Sequence, residues 1–155
     1  MSLVYWEPRT YGRDLADLSA ARRDLSEDMS GFEPDLVDTV RSCLHELHAN
    51  ACRYGRPGGE VTRHLVLGED HVLRLTVHND HGADSVPRIP VERTGEEWDR
   101  AEGRRGLLPV DGLADEWGRY AWPVRSGLGV LVWASFALDP AAVLRAARRL
   151  LSPVR

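Results

Sequence analysis

Apolar residues return every three or four positions between about Asp14 and Met29, at Leu15, Leu18, Ala21, Leu25 and Met29. This spacing predicts a first helix, stopped by Ser30-Gly31. A second, longer helix has Pro34 one turn into it and reaches about Tyr54. Its stripe is Leu36, Val40, Cys43, Leu44, Leu47, Ala51 and Tyr54, and Gly55-Arg56-Pro57-Gly58-Gly59 ends it. The period then changes to two. Val61 to Leu67 and Val72 to Val77 alternate in character around Gly68-Glu69-Asp70-His71, the pattern of an antiparallel hairpin.

From about His78 to Arg105 the chain is polar and aperiodic, which is the signature of a functional lid or loop. A short helix is expected from Gly106 to about Ala114. Trp117 to Val124 and Val130 to Leu138 form a second strand pair around Ser126-Gly127. Asp139-Pro140 caps a last helix, Ala141 to about Leu151, with Arg145, Arg148 and Arg149 towards its favourable C-terminal end. This order predicts an α+β two-layer sandwich, its helices packed on one face of a mixed, mainly antiparallel sheet. One domain over residues 1–155 fits the length.

Composition narrows the chemistry. The 20 basic residues are all Arg, against 24 acidic ones, for a net charge of −4. Without Lys there is no P-loop lysine, no Schiff base and no lysine general base. Scattered arginines on a mildly acidic chain argue against a nucleic-acid partner. No apolar run approaches the ~20 residues of a membrane span, so no membrane association is expected. The N-terminus, Met1-Ser2-Leu3-Val4-Tyr5-Trp6-Glu7-Pro8, lacks the features of a secretory signal, and a cytoplasmic location is expected. Cys43 and Cys52 lie nine positions apart on the second helix, point to nearly opposite sides and read as small buried residues.

Stepping about 100° per residue along that helix brings Glu46 and Asn50 to the margin of the stripe, one turn apart, with Arg53 joining the same edge. As a surface feature this is an i,i+4 polar pair beside a solvated Arg. As chemistry, an amide oxygen can ligate Mg²⁺, a carboxylate can act as general base and a guanidinium can meet a phosphate.

The run His45-Glu46-Leu47-His48-Ala49-Asn50-Ala51-Cys52-Arg53-Tyr54 resembles the N box of the GHKL (Bergerat-fold, histidine-kinase-like) ATPases. It is most similar to the small anti-sigma-factor serine kinase branch, whose helix reads Glu-Leu-x-x-Asn-Ala-x-Arg. The resemblance implies Glu46 as base, Asn50 on Mg²⁺ and Arg53 near the phosphates of ATP. It runs from about Leu15 to Phe136.

Where the family has Val-x-Asp followed by glycines, this chain has Val77-His78-Asn79-Asp80-His81-Gly82. The adenine-binding acceptor is Asn79 in the strand register, or Asp80, with Gly82, in a register shifted by one. The bland meaning of the run is a turn closing a strand. Further on, Glu102-Gly103-Arg104-Arg105-Gly106-Leu107 looks like the family's Gly-Arg-Gly-Leu segment, with the first glycine replaced by Arg104 or displaced to Gly103. Backbone N–H groups at a helix start suit phosphate oxygens, and the resemblance implies that Arg105, Gly106 and Leu107 lie at the nucleotide. A family strand beginning Gly-Lys-Thr-Val-Trp is here Gly129-Val130-Leu131-Val132-Trp133. These departures fall on the phosphate side.

The resemblance implies an ATP-binding regulator that controls transcription by partner switching. It would act as a serine/threonine kinase with a sigma factor or an anti-sigma-factor antagonist as partner, and as a possible homodimer through the N-terminal segment. The loop from about Ala83 to Arg105 would be the lid. The alternative is a catalytically weak or inactive interaction module on the same scaffold. A zinc reading of His45-Glu46-Leu47-His48 fails because Ala49 stands where a zincin has its second His. His64, His71, His78 and His81 show no ligand spacing. Trp98, in the polar loop, is the tryptophan to test as a contact residue.

Overall fold

In the computed structural model, which describes residues 2–54, 59–79, 110, 112–124 and 127–150, the predicted alternation becomes a sheet with one dry face. Val61, Leu65 and Leu67 of β3 (Val61–Gly68) and Leu73, Leu75 and Val77 of β4 (Val72–Asn79) are buried on that face. β4 pairs in turn with β6 (Gly127–Ala137), and β6 with β5 (Glu116–Val124), all antiparallel. Two short strands, β1 (Ser2–Tyr5) and β2 (Arg9–Tyr11), pair with successive stretches of the outer edge of β3. The sheet order is β1-β3-β4-β6-β5, with β2 beside β3.

The helices α1 (Leu15–Asp28) and α2 (Pro34–Tyr54) follow the predicted stripes. α2 lays Val40, Cys43, Leu44, Leu47 and Ala51 over β4 and β6, all fully buried. Each such leucine contributes about 1.5–3 kcal/mol relative to exposure. The third helix, α3 (Pro140–Leu150), buries Val143 and Ala146 and begins where Asp139 Oδ1 accepts from the Ala141 N–H at 3.2 Å. Gly31 turns the chain between α1 and α2 at φ 108°, and a Cβ there would lie 3.1 Å from that of Arg149, so glycine permits both the turn and the approach of α3. No described helix is long and apolar enough to cross a membrane.

Several expectations change at the element ends. The N-terminal strands were not predicted; they exist because β3 offers an edge, and Pro8, with no N–H to donate, separates them. His78 and Asn79 belong to β4 and not to a loop, since they continue the ladder opposite Thr62 and Val61. Gly127 lies in β6, which starts three residues earlier than expected because Gly127, Leu128 and Gly129 pair with Val124, Pro123 and Trp122. Of the expected helix Gly106–Ala114, the described part is a helical Val110 followed by a turn in which its carbonyl accepts from Leu113 and Ala114. Most of the expected lid, Trp98 included, lies outside the described residues.

The N-terminal segment is held by charge. At the last turn of α1, where a carboxylate opposes the helix dipole, Asp28 accepts from Arg9 Nε at 2.9 Å and Nη2 at 2.8 Å, and from Arg63 Nη2. Arg63 points inward from β3 and is 1% exposed. Burial alone would raise the Asp28 carboxyl, but the bonds from Arg9 and Arg63 outweigh it and hold its pKa below the ordinary carboxylate range. Nearby, Tyr11 donates to Asp24 at 2.7 Å, and burial together with that bond raises its hydroxyl pKa.

Asp28→Ala strands a buried guanidinium and is expected to cost about 3–5 kcal/mol of unfolding free energy, measured by urea denaturation. Because the folded pKa of Asp28 is depressed, its stabilisation is complete above the unfolded value of about 3.9 and lost as pH falls through the folded value. The stability difference between wild type and Asp28→Asn is therefore expected to shrink below about pH 4.

Candidate functional site

The second helix carries its polar pair on a margin, and burial separates the two residues. Glu46 is half-buried and lines an open cleft of about 430 Å³ between α1 and α2 with Arg22, Arg41, Ser42 and His45. One turn on, Asn50 is 1% exposed and is not among the residues lining that cleft. Among the described residues neither Oδ1 nor Nδ2 of Asn50 has a hydrogen-bond partner. A buried primary amide with four unused hydrogen-bonding positions is costly, about 1–3 kcal/mol for each polar group left unmade. Such an orphan offers what a hard cation requires, an amide oxygen without a competing partner.

Asn79, the chain's other asparagine, comes to the same corner but is fully used. It is 2% exposed at the end of β4; its Oδ1 accepts from the Val130 N–H at 2.8 Å, and its Nδ2 donates to the Ala51 carbonyl at 3.4 Å. One carboxamide thus joins β4 to the start of β6 and to the turn of α2 that holds Asn50.

The remaining expected residues are less visible. Arg53 lies on the last turn of α2, with its side chain outside what is described. Asp80, Gly82, Arg105, Gly106 and Leu107 all lie outside the described residues. The structure therefore brings together Asn50 and Asn79, with Glu46 one turn away.

Arg119 on β5 was not singled out in the sequence. It is 1% exposed and sits opposite Val132, whose side chain faces the helices, which places a cation in the floor of the same layer. The available signal was its inward position in the alternation Trp117, Arg119, Ala121. The histidines of the N box diverge: His45 lines the Glu46 cleft, whereas His48 is buried against Tyr11, ring centroids 6.1 Å apart. Burial lowers the His48 pKa and keeps the ring neutral. No group of three metal-ligating side chains occurs among the described residues. Cys43 and Cys52 are both free, and burial, with Glu46 adding to it, pushes the Cys43 thiol up to about 12, so it is an inert core residue.

The family model described as a histidine kinase-like ATPase domain matches residues 12–136. That span begins just before α1 and ends at Phe136, near the end of β6, so it includes both asparagines. No curated protein matches the chain.

The two asparagines are expected to respond oppositely to substitution in nucleotide-free protein. Asn50→Leu removes unpartnered polar atoms and is expected to leave stability unchanged or raise the thermal midpoint by a few degrees. Asn79→Ala leaves the buried Val130 N–H unpaired and is expected to cost about 1–3 kcal/mol. Thermal and urea melts of both variants read the contrast, and a large loss in Asn50→Leu would mean that its amide is engaged.

Proposed function

Because the chain belongs to the histidine kinase-like ATPase family, we propose that it is an ATP-binding regulatory protein of the anti-sigma-factor serine/threonine kinase type. Residues 1–155 form one ATP-binding domain, located in the cytoplasm. The observation that carries this reading is the buried, unpartnered amide of Asn50, beside the end of β4. Asn50 Oδ1 holds Mg²⁺, and Asn79 or Asp80 accepts from the adenine amino group beside Gly82. Arg53, Arg105 and the backbone of Gly106-Leu107 meet the phosphates. Mg²⁺-bound ATP supplies the transferable γ-phosphoryl group. Glu46, half-buried with Arg22 and Arg41 in its cleft, accepts the proton of a serine hydroxyl brought by an antagonist protein. The partner is a sigma factor, an anti-sigma-factor antagonist, or both, held by the chain as a homodimer or alone.

A second reading, an interaction module with weak or no catalysis, is favoured by one contact. The Oδ1 of Asn79, the adenine acceptor in the strand register, already accepts from Val130 at 2.8 Å.

Isothermal titration of ATP with and without Mg²⁺ tests both. Saturable, Mg²⁺-dependent binding that falls at least tenfold in Asn50→Ala is expected. Glu46→Gln is expected to keep ATP binding and to lose phosphotransfer by about 10²–10⁴-fold. Absence of binding at millimolar ATP would overturn the nucleotide assignment. Binding without transfer to any serine-bearing antagonist would leave the interaction module as the function.

A further inference from the structure

The helices cover one face of the sheet, and on the other face two histidines meet. β3 and β4 pair with Thr62 opposite His78 and His64 opposite Thr76, so His64 and His78 are diagonal neighbours on the side away from the core. Both are half-buried. Their rings stack with centroids 5.1 Å apart and planes at 21°, and the two Nε2 atoms are 3.1 Å apart. The Nδ1 of His78 lies 3.3 Å from the backbone carbonyl of Asn79.

We propose that His64 and His78 chelate a divalent transition-metal ion through their Nε2 atoms on the open face of the sheet. Metal–imidazole bonds of about 2.0–2.1 Å put two adjacent ligand nitrogens roughly 2.8–3.4 Å apart, from the octahedral to the tetrahedral angle. The observed separation falls in that span. Donation from Nδ1 of His78 to the Asn79 carbonyl leaves the lone pair on Nε2, the arrangement that orients ligating histidines. In the metal-free protein the close Nε2 pair shares one proton. Metal binding needs only that the His64 ring carry its proton on Nδ1 instead.

The donor set selects the ion. Two imidazoles suit copper, nickel and zinc and do not suit Mg²⁺ or Ca²⁺, and among these Cu²⁺ binds tightest. Since no third His, Cys, Asp or Glu joins the pair among the described residues, water completes the coordination sphere. The site lies on the face opposite Asn50 and Asn79 and does not depend on the nucleotide reading. His78 and Asn79 are consecutive, so the strand alternation sends one to each face.

Titration of CuCl₂, NiCl₂ and ZnCl₂ into the full chain at pH 7 tests the site, followed by isothermal calorimetry and Cu²⁺ electron paramagnetic resonance. One equivalent of Cu²⁺ is expected to bind, with superhyperfine splitting from two imidazole nitrogens and the order copper, nickel, zinc in affinity. His64→Ala and His78→Ala are each expected to weaken binding at least tenfold, and His71→Ala to leave it unchanged. Circular dichroism confirms that each variant is folded, and His64→Gln supplies a bulkier replacement if His64→Ala does not fold. Unchanged stoichiometric binding in the His64→Ala/His78→Ala double variant, or a resonance spectrum without two-nitrogen coupling, would overturn the proposal.

Discussion

The carboxamide of Asn79 ties together three elements that no backbone ladder joins at one point. Its oxygen takes the N–H of Val130 at the start of β6, and its nitrogen reaches the carbonyl of Ala51 on α2. Each bond is modest, about 0.5–1.5 kcal/mol net, but both are made in the dry layer between helices and sheet, where an unmade bond costs more than a made one returns. The geometry matters more than the sum. Ala51 follows Asn50, so the contact that fixes the end of β4 also fixes the turn of α2 whose amide is left open. Replacing the pin by an apolar group would free that turn to move relative to the strands, and a site built on it would lose its registration.

Charge plays the corresponding role at the other edge of the sheet. β1 and β2 are short; the Arg9–Asp28 and Arg63–Asp28 pairs and the bond from Trp6 Nε1 to the Asp28 carbonyl hold this segment against α1. One carboxylate serves two guanidinium groups, and Arg63 still has Nε and Nη1 without partners among the described residues. A chain with no Lys uses Arg for its buried cations, and the planar fork suits the task because it bonds one carboxylate while its apolar stem packs along the sheet. The arrangement has a cost, since an incompletely satisfied buried cation is strongly destabilising when its one partner goes.

How much of this was legible in the sequence follows from the range of each interaction. The stripes of α1 and α2 and the alternation of β3 to β6 are local, and their existence and order could be read directly. β1 and β2 could not, because stretches of four and three residues carry no readable period, and they are strands only by virtue of the β3 edge. Arg63 and Arg119 occupy inward positions that the alternation specifies, yet their charge suggests solvent; only the fold shows that burial prevailed. Asn50 was placed at the margin of a stripe by its angular position, and the structure moves it fully inside. His64 and His78 are separated by a hairpin, and no spacing rule connects them; cross-strand register does.

The unpartnered amide of Asn50 also bears on stability and function together. A buried primary amide without hydrogen bonds lowers the stability of the nucleotide-free fold by about 1–3 kcal/mol. A ligand present at a hundred times its dissociation constant returns about 2.7 kcal/mol by mass action, a quantity of the same size. On the nucleotide reading, then, the deficit left at Asn50 in the free protein is offset when a cation takes the amide oxygen, and the two states differ by an amount the cell can set through nucleotide concentration. Asn79, whose amide is already paired, gains nothing comparable. The asymmetry between two identical side chains at one corner of the sheet separates the residue whose amide holds the fold from the residue whose amide stays unpartnered.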